Sequence, residues 1–145
     1  MDIKPYMRKP NYYETDQMGI IHHSNYIRWF EEARVNYMEQ IGFGYEQAIE
    51  SGIDFAVLSV QCAYKSMVRF GDTVQINVSI SELSKTRLTI CYQITDATTG
   101  ELRTSGTTSH CYYDGNKKRP VSLKAALPEL YHLFDLLVIK KMKTK

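Results

Sequence analysis

From Tyr26 onward the apolar residues recur at Tyr26, Phe30, Ala33, Tyr37 and Ile41, with Ile27, Trp29 and Met38 widening the stripe. That spacing predicts a long amphipathic helix. Arg28, Glu31, Glu32, Arg34 and Glu39 fall mostly off the stripe, and Glu31 and Arg34 are three apart, as an ion pair requires. Ser24 or Asn25 is the expected N-cap, and Gly42 is placed to end the helix. A helical turn around Tyr45 to Glu50 follows, closed by Gly52. Then the period changes to two. Ala56, Leu58, Val60, Cys62 and Tyr64 are expected on one face of a strand from Phe55 to Ser66. Val74, Ile76, Val78 and Ile80 alternate with polar residues, and Leu88, Ile90, Tyr92 and Ile94 do the same. Glu101 to Tyr113 reads as a fourth long strand with a bend or bulge at Gly106. Before the helix, Pro5 and Pro10 reduce residues 3–13 to an edge or irregular strand.

The turns "FGD", "SELSK" and "DATTG" leave short gaps, so neighbouring strands pair antiparallel. Clean alternation means that one face of the sheet is covered, and the long helix is the main available cover. The expected class is α+β: a curved antiparallel sheet of about five strands wrapped around one helix. With no repeat or low-complexity linker, residues 1–145 read as one domain.

Composition adds little that is specific. The chain is 43% apolar and carries a net charge of +2, so no global field draws it to nucleic acid. Cys62, Cys91 and Cys111 form no CxxC pair and read as reduced, buried thiols. The opening "MDIKPYMRKP" carries charges where a secretion signal has an apolar run, and no aliphatic segment could span a bilayer. A cytoplasmic chain is expected. The tail "LPELYHLFDLLVIKKMKTK" reads as a terminal helix, docked or in an oligomer contact, with a basic end.

The candidate chemistry lies before the long helix, in "YYETDQMGIIHHSNYIRWFEEAR", Tyr12 to Arg34. Asp16 stands a few residues before a helix N-terminus, where backbone N–H groups are unpaired and partly positive. A carboxylate beside such donors can act on a polarised carbonyl, or it can simply hold its own turn. His22 and His23 are adjacent and point in different directions, so they do not grip one metal together; a single histidine orienting substrate beside Asp16 fits better. His110 and His132 are distant in sequence, and no metal is expected. Lys117, Lys118 and Arg119 are either a solvated turn or partners for phosphates. Trp29, Phe30, Tyr37 and Phe55 could line an acyl pocket, with core packing the plainer role.

The motif Y-x-E-T-D-x-M-G-x-x-H-H-S-N-Y-x-x-W-F-E-E-A-R closely resembles the opening signature of hotdog-fold acyl-CoA thioesterases, the 4-hydroxybenzoyl-CoA thioesterase-like family. "RFGD" at Arg69 to Asp72 and the later "RPVSL" extend the resemblance over nearly the whole chain. It implies a hotdog fold and hydrolysis of acyl-CoA to a free acid and coenzyme A, with Asp16 as nucleophile or general base. The backbone N–H of His23 would hold the thioester carbonyl oxygen, and its ring, or that of His22, would orient Asp16 or the substrate. Gly19 would let the loop pass close to the thioester, Asn25 and Tyr26 would lock the loop to the helix, and Lys117, Lys118 and Arg119 would meet the coenzyme A phosphates. Homodimers joined edge to edge, often paired into homotetramers, with the site at the subunit interface and no cofactor, are also implied. Met67 stands where many relatives have proline, and the strand from Phe55 to Ser66 lacks the carboxylate that a second thioesterase branch uses. A hydratase or dehydratase on the same fold, or a non-catalytic acyl-thioester-binding module, are the alternatives.

Overall fold

The computed structural model describes residues 2–139. The basic end of the tail, 140–145, lies outside them. The long helix α1 spans Ser24–Gln40 and buries Tyr26, Trp29, Phe30, Ala33, Tyr37 and Met38 along the stripe expected of it. Burying each large side chain of this kind is worth about 1.5–3 kcal/mol. The helix starts at Ser24 with His23 as its N-cap residue, in helical conformation and without a side-chain cap. Neither Ser24 nor Asn25 caps it: Ser24 Oγ sits 2.9 Å from His22 Nδ1, and Asn25 Nδ2 donates back to the Glu14 carbonyl at 3.0 Å. Glu31 and Arg34 form no ion pair either, because Arg34 turns toward the sheet and donates to the Tyr92 hydroxyl at 2.9 Å. A short helix α2, Tyr45–Ser51, ends at Gly52 in the left-handed conformation.

Six antiparallel strands enclose α1. A three-residue edge strand β1 (Tyr6–Arg8) leads to β3 (Val74–Leu83), β4 (Arg87–Asp96), β5 (Leu102–Asp114) and β2 (Ile53–Tyr64), in that spatial order, and β6 (Arg119–Val121) pairs with the far end of β5. The helix runs against β2 in the opposite sense. Its N-terminal Tyr26 ring lies 5.4 Å from Tyr64 at the end of β2, while beyond its C-terminus Phe43 stacks 5.9 Å from Phe55 at the start. Helices α3 (Leu123–Ala126) and α4 (Pro128–Leu137) close one end, with Leu130 and Phe134 buried and Ile139 N–H donating to the Ile80 carbonyl.

The expected single face of β2 does not hold along its length. Register shifts between Val57 and Ser59, so Leu58 is an extra residue. Phe55 pairs opposite Tyr112 and Val57 opposite His110, and past the bulge Val60, Cys62 and Tyr64 take over that row. One inserted residue in a period-two strand reverses which parity faces inward. Gly106, by contrast, sits in regular register between Cys62 and Tyr92 and is no bulge. A Cβ there would lie 2.5 Å from Cε2 of the Phe30 ring and 2.7 Å from the Gln61 carbonyl oxygen. Glycine is needed because the helix approaches the sheet at this point. The Phe30 ring, in turn, stacks on Tyr92 at 4.4 Å.

The inner row of β5 carries Thr104, Thr108 and His110, all buried, beside Gly106 and Tyr112. From Arg34 a hydrogen-bonded chain crosses the core. The Tyr92 hydroxyl is 2.7 Å from Thr108 Oγ1, Thr108 Oγ1 is 2.8 Å from His110 Nε2, and His110 Nδ1 is 3.4 Å from the Phe55 carbonyl. The ends dictate its sense, since a guanidinium only donates and a carbonyl only accepts. Tyr92 therefore donates to Thr108, Thr108 donates to Nε2, and a neutral His110 carries its proton on Nδ1. Burial, then the nearby Arg34 charge, pushes the His110 imidazole down to about 4, opposed by its bond to Phe55.

Two outcomes follow from this core. Gly106→Ala should lower the urea midpoint by an amount equivalent to about 1–3 kcal/mol, the cost of overpacking a filled core; an unchanged midpoint would mean that Phe30 yields freely. His110 binds its proton less readily folded than unfolded, so its contribution is complete above about pH 6.5 and is lost as pH falls toward 4. The thermal midpoint should drop across that window, and His110→Gln should flatten the drop. Parallel curves for the two proteins would remove His110 as the cause.

Candidate active site

The loop carrying Asp16 is a small hairpin. Asp16 N–H donates to the Ile20 carbonyl at 2.8 Å, His22 N–H to the Glu14 carbonyl at 2.9 Å, and Ile21 N–H to the Val68 carbonyl at 2.8 Å. Gly19 closes it with φ +77°, where an L side chain is strained. One Asp16 oxygen accepts the Met18 N–H at 2.8 Å, so the turn-forming role of this aspartate is real. The same half-buried carboxylate also lines a groove of about 320 Å³ with His23, Tyr26, Tyr64, Ser66 and Met67.

Glu14 holds this hairpin to the body of the protein. Its carboxylate, 4% exposed, accepts from Trp29 Nε1 at 3.0 Å, from Asn11 N–H at 2.7 Å and from Arg8 at 2.8 and 3.1 Å. Its carbonyl takes both His22 N–H and Asn25 Nδ2. Burial opposes the charge, but the Asn11 N–H, the Trp29 indole and Arg8 together outweigh it and hold the carboxyl below its ordinary range. Glu14 is not among the residues expected from the sequence; its signal there is an acidic side chain in the segment leading to the helix that carries the only tryptophan.

His23 supplies the second element. Its backbone N–H stands at the N-terminus of α1, where the dipole is positive, and among the described residues it has no acceptor. His23 lines the groove, and its ring stacks on His22 at 4.3 Å and lies 6.3 Å from the Tyr64 ring. His22 itself is exposed, bonds Ser24, and does not line the groove. Asn25 ties the loop to the helix through Glu14 and His22, and Tyr26 is buried beneath the groove against Trp29 and Tyr64. Arg103 fixes the opposite wall: it donates to the Met67 carbonyl at 3.1 Å and pairs with Asp96 at 2.9 Å. Arg103, then the N–H groups of Thr99 and Thr98, draw the Asp96 carboxyl down to about 2.

Lys117 and Lys118 lie in the turn from β5 to β6 and Arg119 opens β6; the turn is bonded to the start of β2 through Gly115 N–H and the Gly52 carbonyl. The groove sits at the other end of β2, roughly 36 Å away along the strand. Within one chain these cations do not meet Asp16.

An α1 helix enclosed by this sheet defines a hotdog-fold domain, with a carboxylate and an open amide near the helix mouth. A sequence profile of the Thioesterase-like superfamily matches residues 10–131, and the chain belongs to that superfamily. It is 29% identical over 86% of its length, and 89% of the relative's, to the Bacillus subtilis protein named "Putative acyl-CoA thioesterase YneP". To the acyl-CoA thioester hydrolase YbgC of Escherichia coli O6:H1 it is 26% identical over 59% of its own length and 65% of the relative's. The DHNA-CoA thioesterase of Staphylococcus aureus superposes with a TM-score of 0.85 at 28% identity, covering 92% of this chain and 89% of that one. Among the described residues no helix is long and apolar enough to cross a membrane.

Glu14→Gln should cost about 2 kcal/mol, less than a fully broken buried pair because Arg8 keeps Glu32 at 2.7 Å. That corresponds to a thermal midpoint lower by about 4–8 °C. A midpoint equal to wild type would show that the carboxylate charge does not hold the hairpin.

Proposed function

We propose that this protein hydrolyses acyl-CoA thioesters to a carboxylic acid and coenzyme A at the groove between Asp16 and His23. The observation that carries the reading is the pairing, in one groove, of a carboxylate with one oxygen spent on its own turn and an N–H left open at a helix N-terminus. A thioester carbonyl oxygen accepts from the His23 N–H, and the negative charge that builds on it in the tetrahedral transition state meets the positive end of α1. The other Asp16 oxygen then either attacks the carbonyl carbon or takes a proton from a water that does. By the first route the thiolate of coenzyme A leaves and water cleaves the resulting anhydride. By the second, the acid forms directly. In both, one water is consumed, and one acid and one thiol are released.

The β2 edge supports the rest of the reading. Its outer backbone edge has no strand neighbour among the described residues, and Val57, Leu58, Val60 and Tyr64 are exposed along it. An unpaired edge of this length templates a second strand. Antiparallel pairing with the β2 of a second copy would set the start of the partner's β2 beside Tyr64. It would thereby deliver the partner's turn of Lys117, Lys118 and Arg119 toward the groove, where coenzyme A carries its phosphates. The homodimer is thus the unit in which these site residues converge.

Asp16→Asn keeps an oxygen for the Met18 N–H but loses the nucleophile or base. Thiol release from acyl-CoA should fall on the order of 100-fold or more, with thermal midpoint and oligomeric state unchanged. Hydrolysis near the wild-type rate by the purified variant would remove Asp16 from the chemistry.

A further inference from the structure

A second concavity lies at the other end of α1, walled by Val35, Met38, Phe43, Ala48 and Phe55 with Arg34 among them. It holds about 180 Å³, a little more than a void that takes one benzene ring. The wall is apolar apart from Arg34, Tyr45, Asp54 and backbone. Arg34 is half-buried, and among the described residues no carboxylate lies within ion-pair distance of its guanidinium. Asp54 stands exposed, where water screens it. Of the five guanidinium N–H groups, one donates to the Tyr92 hydroxyl at 2.9 Å. Tyr92 is itself immobilised by the Phe30 stack and the Thr108–His110 chain. The result is a permanent cation with a locked anchor, set in an apolar wall and lacking a counter-ion.

Because α1 runs opposite to β2, antiparallel pairing of two β2 edges sets this concavity of one copy against the Asp16 groove of the other. We infer that the concavity receives the acyl group of a thioester held at the partner's Asp16, that the acyl group is short, and that its far end carries a carboxylate which Arg34 binds. This rests on the hydrolysis and pairing proposed above. The small volume excludes a long chain, the aliphatic and aromatic walls accept the methylenes, and a guanidinium fork matches a carboxylate in shape and charge. Arg34 is then a specificity-determining residue with no part in the bond breaking.

The test compares adipyl-CoA with hexanoyl-CoA, which differ only at the far end, and includes palmitoyl-CoA for length. Wild-type kcat/KM should favour adipyl-CoA over hexanoyl-CoA by about tenfold or more, with palmitoyl-CoA poorest. Arg34→Met should abolish that preference, mostly through KM, while leaving hexanoyl-CoA turnover within about threefold. Equal losses on both substrates would assign Arg34 a purely structural role and overturn the inference, as would a wild-type preference for hexanoyl-CoA or palmitoyl-CoA. Tyr92→Phe keeps the charge but frees its anchor; a partial loss of the adipyl preference is expected, and an unaltered preference would overturn the anchored-cation account. Asp16→Asn assayed alongside keeps the two readings apart. If that variant is inactive while Arg34→Met lowers adipyl-CoA and hexanoyl-CoA turnover equally, acyl recognition fails and hydrolysis at Asp16 stands; if it stays active, the hydrolysis reading itself falls.

Discussion

A buried carboxylate on Glu14 is the constraint around which the site is arranged. Desolvating it is costly, and it is tolerated because a guanidinium, an indole N–H and a backbone N–H converge on its two oxygens. Those three donors come from β1, α1 and the residue opening the turn before the hairpin. Meanwhile the Glu14 carbonyl receives His22 N–H and Asn25 Nδ2. One residue thereby sets the base of the Asp16 hairpin relative to the first turn of α1. The relation matters because a carboxylate and an oxyanion donor act together only if neither drifts.

The opposite wall is built by the same kind of interaction. Arg103 reaches from β5 to the Met67 carbonyl while paired with Asp96, so the segment after β2 is held by a charge network. A proline at position 67 would stiffen that segment through its ring; here the Arg103 bond to the Met67 carbonyl holds it. The groove is thus bounded by two arginine-centred clusters, one on each side, and its floor is aromatic.

Between the two ends of α1 the core is less apolar than strand alternation implies. Thr108 and His110 face inward on β5, and the proton order from Arg34 to Phe55 leaves each donor in the chain an acceptor. A buried network of this kind stabilises only when every member is paired. Its physical effect is to orient one surface guanidinium from within.

Much was legible in the chain itself. The period-3.6 stripe of α1 and the period-two runs of β3 and β4 follow from one-sided burial, which local patterning encodes directly. So does the antiparallel order implied by short turns; Asp16 was marked by its position before a helix, and Gly19, His23 and Asn25 by the family resemblance. Tertiary contact decided what spacing does not carry. The bulge at Leu58 reverses the inward parity of β2, because the register of one strand depends on its neighbour's hydrogen bonds. Gly106 is glycine on account of a ring from a helix some seventy residues earlier, where a bend was expected. Ser24 and Asn25 gave up capping for contacts to His22 and Glu14, and Arg34 left Glu31 for Tyr92, fifty-eight residues away. Local pattern fixes which face of each element is apolar; which polar group meets which is settled only when the faces close, since a buried donor takes whatever acceptor the packing presents.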